Sequence, residues 1–223
     1  MSVRVLAVGG GCFEGVEQVT PAELARLAAE DLRAFSHLLV TGGDGAVRRA
    51  CGTMVRAGVV LPVILHPTGT SNILHTLLRL GSAAPILARL RAGAGVAEIA
   101  QPLHTIGGEP FLFSAGDLLD RGYMVVAERL RIGPLTASRW RYALPAPLLV
   151  PALAALPLYL LPGHFLYYRV GPINVQIGCG KTVRCRHLQL DGDLVELPVA
   201  RAPIEAAGTV RILCLHKEPP RGR

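Results

Sequence analysis

Aromatic residues make up only 5% of this 223-residue chain, charged residues only 17%, and there is one tryptophan. With 51% hydrophobic residues and so little charge, the chain buries a core, which excludes an intrinsically disordered protein. Acidic side chains are in deficit, 16 against 23 basic ones, for a formal net charge of +7. A basic balance can serve nucleic acid, but the arginines are spread along the chain, stacking aromatics are few, and no nucleic-acid motif accompanies them. Nucleic acid is therefore not an expected partner, and an anionic phosphate ligand or an anionic membrane surface accounts for the balance better. Cysteine pairs are lacking too. Cys12, Cys51, Cys179, Cys185 and Cys214 are an odd number with no C-x-x-C spacing, which argues against a disulfide framework and a zinc site and points to reduced thiols in a cytoplasmic protein. The opening MSVRVLAVGGGC has too short an apolar run for an ordinary signal peptide, and as a lipoprotein signal ending at Cys12 it is poorly formed.

The uncharged stretch Leu144 to Leu161 is long enough to raise the question of a membrane span. It contains Pro145, Pro147, Pro151 and Pro157, and each interior proline costs an isolated helix about 3 kcal/mol. The first reading is a pair of broken buried segments, the second an apolar surface that touches lipid, and the third a true span.

What is present is concentrated between Leu38 and Asn72. The run His37 to Thr41 is apolar and β-prone, and Gly42-Gly43-Asp44-Gly45 ends it in a tight turn carrying one carboxylate. Val47, Cys51, Met54 and Val55 then form an amphipathic helical face, with Arg48, Arg49 and Arg56 expected toward solvent and Arg48 alternatively toward a phosphate. A second buried strand, Val59 to Leu65, leads into Pro67-Thr68-Gly69-Thr70-Ser71-Asn72 at the head of an apolar helix, Ile73 to Leu80. Two strands thus end in glycine-bearing turns that open helices. Helix N-termini carry unpaired N–H groups, and ligands of open α/β sheets collect at the carboxyl ends of strands, so the pattern predicts a phosphate-binding cleft. The triple glycine Gly9-Gly10-Gly11 after a first strand, Val3 to Val8, is either a flexible turn or a further phosphate loop.

Together the GGDG turn and P-x-G-T-x-N resemble the catalytic domain of diacylglycerol kinases and bacterial lipid kinases, of the superfamily that includes NAD kinases. Thr20 to Asp31 resembles that family's helix before GGDG, Phe111-Leu112-Phe113-Ser114-Ala115-Gly116 its segment opening the second domain, and Leu190-Asp191-Gly192-Asp193 its late D-G-E turn. The chain departs from the pattern at three places. There is no N-P-x-x-G motif after the first strand, Ala46 stands where the family usually has threonine, and Ile73 stands where it has aspartate. The resemblance thus implies an N-terminally shortened and partly degenerate member.

The resemblance implies an N-terminal doubly wound nucleotide-binding α/β domain, residues 1–100, followed by a mainly antiparallel β-sandwich lipid or substrate domain, residues 101–217, and a disordered tail, 218–223. It implies transfer of the γ-phosphoryl group of ATP, with Mg²⁺, to a lipid hydroxyl, and peripheral contact with the inner membrane face. Gly42, Gly43, Asp44, Gly45, Thr68, Gly69, Thr70, Ser71 and Asn72 are the expected nucleotide-binding residues. Asp191, Asp193 and Asp44 are the expected catalytic carboxylates, with Asp191 first as the base. An aspartate between glycines is also a plain turn former, and Asp117 and Asp120 read as loop carboxylates. The alternative to a kinase is a homologue of the same fold that binds nucleotide or lipid without turnover.

Overall fold

The computed structural model describes residues 3–11, 13–70, 72–135, 138, 140–145, 147, 153–178 and 182–215. Ser71, Cys12, Cys179 and the tail 218–223 lie outside them. The chain divides into two units, one of residues 1–103 and 207–223, the other of residues 104–206.

In the first unit the elements are β1 (Val5–Val8), β2 (Glu17–Val19), α1 (Pro21–Leu24), α2 (Ala29–Arg33), β3 (His37–Gly42), α3 (Asp44–Arg56), β4 (Val63–Pro67), α4 (Ile73–Leu78), α5 (Ala83–Arg91) and β5 (Ala97–Ile106), whose last residues enter the second unit. Strands β2, β1, β3 and β4 lie side by side and parallel. Their runs of buried valine and leucine suit a parallel sheet covered on both faces. On one face Val5, Ala7, Leu39 and Ile64 pack with Ala83, Ile86 and Leu87 of α5. Against the other lies α3, whose Val47, Cys51 and Met54 are buried at helical spacing as the sequence predicts.

Thr20 caps α1 with the expected capping box: the Glu23 carboxylate accepts the Thr20 N–H at 2.7 Å and the Glu23 N–H donates to the Thr20 hydroxyl at 3.2 Å. The single helix expected over Thr20 to Asp31 is instead two short ones. At Ala28 the backbone turns extended, and the Asp31 carboxylate caps the new start by accepting the Ala28 N–H at 3.2 Å.

The second unit holds β6 (Glu109–Phe111), β7 (Ser114–Gly116), α6 (Leu119–Arg129), α7 (Trp140–Ala143), β8 (Leu166–Val170), β9 (Ile173–Ile177), β10 (Thr182–Val183), β11 (His187–Leu190), β12 (Asp193–Glu196) and the start of β13 (Ala202–Cys214), with 3-10 turns at Gly133–Leu135 and Leu153–Leu160. Its main sheet is antiparallel in the order β12-β11-β7-β8-β9. Ile106 and Phe111 of the β5–β6 hairpin pack with Phe165, Tyr167, Leu188, Leu190 and Ala202 in one core. Two hairpin turns have the same backbone character. Gly107-Gly108 and Asp191-Gly192 each sit in the left-handed region at both positions, as two-residue hairpin loops require.

The α/β unit and the antiparallel unit match the expected fold class, with two differences. The end of β13 joins the first unit's sheet, with Ile212 opposite Val63 of parallel β4, so the first unit takes in residues from 207 onward as well as the N-terminal 103. The eleven-residue α6 stands where the sequence suggested only loop, because Gly122 and the β-branched Val125-Val126 pair mask its buried Met124 and Ala127. Nor are the described residues of 144–161 buried segments: Leu144, Leu158, Leu160 and Leu161 are 46–68% exposed, while Tyr159 is fully buried. Among the described residues no helix is long and apolar enough to cross a membrane.

Candidate nucleotide site

Pairing of β3 with β4 continues to their last residues, Thr41 opposite His66 and Gly42 opposite Pro67, so the two glycine-bearing corners start side by side. The Thr68 N–H donates to the Gly42 carbonyl at 3.3 Å. Beyond it the backbones nearly touch: a Cβ on Gly69 would stand 2.6 Å from the Gly43 Cα and 2.9 Å from the Asn72 Oδ1. Only glycine fits there. Asn72, in the left-handed conformation, donates its side-chain amide to the Gly69 carbonyl, and its Oδ1 is buried without a hydrogen-bond partner.

Asp44, in the first turn of α3, reaches across to the second corner. Its carboxylate accepts the N–H groups of Ile73 at 2.7 Å and Leu74 at 3.1 Å. That corrects one expectation. The opening amides of α4 are occupied by a carboxylate of this chain, so α4 is not a second helix end open to phosphate. Among the described residues no group of three or more His, Cys, Asp or Glu side chains could hold a metal, and both Asp44 oxygens accept backbone amides.

Next to the first corner is a cleft of about 230 Å³. Val8 and Gly9 from the end of β1, Val40 and Thr41 from the end of β3, Pro21 and Leu24 of α1, and Ala46, Arg49, Thr53 and Arg56 of α3 line it. The sheet order explains its position. From β1 the chain goes outward to β2 and returns past β1 to β3, so the order reverses between β1 and β3, the switch point where open α/β sheets bind ligands beyond their strand ends. Thr41, Arg49, Thr53 and Arg56 were not singled out from the sequence. Arg49, Thr53 and Arg56 recur at helical spacing after GGDG and Thr41 directly precedes it, which shows a position but not what it faces. Arg48, expected in solvent, is buried at 5% exposure, whereas Arg49 and Arg56 are exposed at the cleft.

The expected catalytic pair Asp191 and Asp193 belongs to the second unit. Asp191 is 1% exposed, and its carboxylate accepts three backbone N–H groups, from Leu112 at 2.6 Å, Phe113 at 2.9 Å and Ser114 at 2.8 Å. Its own N–H donates to the Ser114 carbonyl at 2.8 Å. This side chain pins the β11–β12 turn to the segment between β6 and β7. Asp193 opens β12, half-buried, opposite Leu190.

The family model for the diacylglycerol kinase catalytic domain matches residues 13–99. Over those residues the chain is similar to a diacylglycerol kinase catalytic domain. The resemblance carried by GGDG and P-x-G-T-x-N is borne out over that region, which holds both corners and most of the cleft lining. No curated protein matches the chain. Among solved structures, a diacylglycerol kinase from Bacillus anthracis str. Sterne is similar at 17% identity over 57% of this chain and 52% of that one, TM-score 0.40. An NAD kinase from Archaeoglobus fulgidus in complex with ATP is similar at 13% identity over 96% and 95%, TM-score 0.44. The chain spans about half the length of the Bacillus anthracis structures it matches.

Proposed function

We propose that this chain binds ATP and transfers its γ-phosphoryl group to a lipid hydroxyl, that of diacylglycerol or a related lipid. The observation that carries the reading is the Gly43–Gly69 contact beside the switch-point cleft, within the catalytic-domain region. In this reading Gly42, Gly43, Gly45, Thr68, Gly69, Thr70, Ser71 and Asn72 border the phosphates, while the cleft takes the nucleoside and Arg49 and Arg56 offset phosphate charge. Asp44 holds the two corners together as a positioning residue. Magnesium then arrives on the nucleotide's phosphates rather than in a protein cage. Asp191 is a positioning residue as well, and Asp193 is the remaining candidate for the base.

A second reading, binding without turnover, is favoured by one specific observation: the carboxylates of Asp44 and Asp191 are both engaged by backbone amides. Two assays on the full chain separate the readings. ATP binding with Mg²⁺ is followed by calorimetry, then labelled phosphate transfer from ATP to a lipid panel is measured. Labelled lipid supports the kinase, binding without label supports the second reading, and no ATP binding overturns both. Peripheral contact with an anionic membrane belongs to the same proposal, supported by the net charge of +7 and by the exposed Trp140, Leu158, Leu160 and Leu161.

A further inference from the structure

The second unit contains an imidazole–carboxylate pair that the reading above does not use. Asp117, 4% exposed, follows β7 just ahead of α6, and its Oδ2 lies 2.6 Å from the Nδ1 of His164. Its Oδ1 accepts the Phe165 N–H at 3.3 Å, so its direction is set by the backbone that leads into β8. With Nδ1 engaged by the carboxylate, Nε2 is the ring nitrogen left to meet a ligand. The His164 side chain is 36% exposed, so the ring is accessible.

Asp120 lies beside this pair, its Oδ2 buried without a hydrogen-bond partner and close against Gly116. Burial and the neighbouring Asp117 push its carboxyl up to about 6. Asp117, not Asp120, is the carboxyl in contact with His164.

Arg184 packs against Gly163 beside the pair, and the run that leads into His164 is apolar. Tyr159 turns inward from the 3-10 segment, and its hydroxyl accepts the Leu119 N–H at 2.8 Å, which leaves Leu158, Leu160 and Leu161 outward at 46%, 68% and 50% exposure. The His164 N–H donates back to the Leu161 carbonyl at 3.3 Å, so the imidazole follows directly on this apolar run. One turn further along the same face of α6, Tyr123 donates its hydroxyl to the Tyr142 carbonyl and holds α7, which bears Trp140 at 66% exposure. A ring nitrogen held in one direction at the end of an exposed apolar surface suits a hydroxyl attached to acyl chains, since a hydroxyl can both donate and accept.

We propose that His164, oriented by Asp117, is a recognition site for the free hydroxyl of a membrane-embedded acylglycerol, whose chains lie against Leu158, Leu160 and Leu161. The site deepens the lipid half of the proposed function and rests on that reading for its lipid class. It is tested by co-sedimentation of the full chain with phosphatidylcholine vesicles carrying either diacylglycerol, which has the hydroxyl, or triacylglycerol, which lacks it. The wild type is expected to prefer the diacylglycerol vesicles by about fivefold, the effect of one hydrogen bond to a neutral hydroxyl. His164→Ala is expected to remove the preference while still sedimenting with triacylglycerol vesicles. His164→Gln, which keeps an acceptor oxygen, retains part of it and serves where the alanine variant lacks a cooperative melt. Leu160→Asp with Leu161→Asp is expected to release the chain from both vesicles. A wild type without preference, or a folded His164→Ala that keeps it, overturns the proposal. Vesicle preference without phosphate transfer sinks the kinase reading alone, and transfer without preference sinks this one alone.

Discussion

Replacing Asp191 tests whether this carboxylate, first choice for the base on sequence grounds, is instead a structural clamp. Its Oδ1 serves the N–H groups of Phe113 and Ser114 and its Oδ2 that of Leu112, all buried. Alanine would leave three amides without their acceptor. A buried polar group that loses its partner costs about 1–3 kcal/mol, so about 3–5 kcal/mol is expected once partial relaxation is allowed for. The residue also sits at φ 48, where alanine adds about 1 kcal/mol of strain that aspartate and asparagine tolerate better. Asparagine can turn its oxygen to Phe113 and Ser114, but its NH₂ then meets the Leu112 N–H, for a loss of about 1–3 kcal/mol. Urea denaturation at fixed slope reads both values. Against a typical total of about 5–15 kcal/mol, Asp191→Ala should lose a large share of the chain's stability. A loss under about 1 kcal/mol for alanine would refute the clamp and return Asp191 to the list of bases.

Burial and Asp117 hold the Asp120 carboxyl near pH 6 in the native state against 3.8 for the ordinary group. The folded chain therefore binds this proton more tightly than the unfolded one, and this group's contribution to stability is fully present below about pH 4 and is lost, by up to about 3 kcal/mol, as pH rises through 6. Asp120→Asn should remove that slope and melt higher than the wild type at pH 7.5, and an unchanged slope in melting temperature against pH would count against the buried carboxyl. Gly69→Ala should destabilise the first unit by about 1–3 kcal/mol, because its Cβ would stand 2.6 Å from the Gly43 backbone. Gly10→Ala is its control, since an added Cβ there meets nothing within 4 Å, and a denaturation midpoint equal for the two variants would contradict the close packing.

Much of the first unit could be read from local chemistry. The glycine turns, the capping box at Thr20 and the apolar runs each state one conformation, and the observed β1, β3, α3 and β4 follow them. The two corners came together because two parallel strands in register end at the same level, which needs only pairing of neighbours. What stayed hidden depends on distant contacts. Nothing near Asp191 in the sequence shows that residues 112–114, nearly eighty positions earlier, would take its carboxylate. Nothing in Val210 or Ile212 distinguishes a strand of the second unit from one that returns to β4. The apolar stretch 144–161 misled for a related reason. Hydropathy reports what a segment would bury if covered, and here Tyr159 alone of its described leucines and aromatics is fully inside.

The claim on which the rest depends is that the corners at 42–45 and 67–72, with the cleft beside them, take a nucleotide. Isothermal titration of the full chain with ATP, against Gly69→Ala under the same conditions, tests it most directly. Saturable binding by the wild type that weakens at least about tenfold in the variant, or 1.4 kcal/mol, is the predicted result. No saturable ATP binding by a folded wild type, or equal affinity in a folded variant, would contradict it.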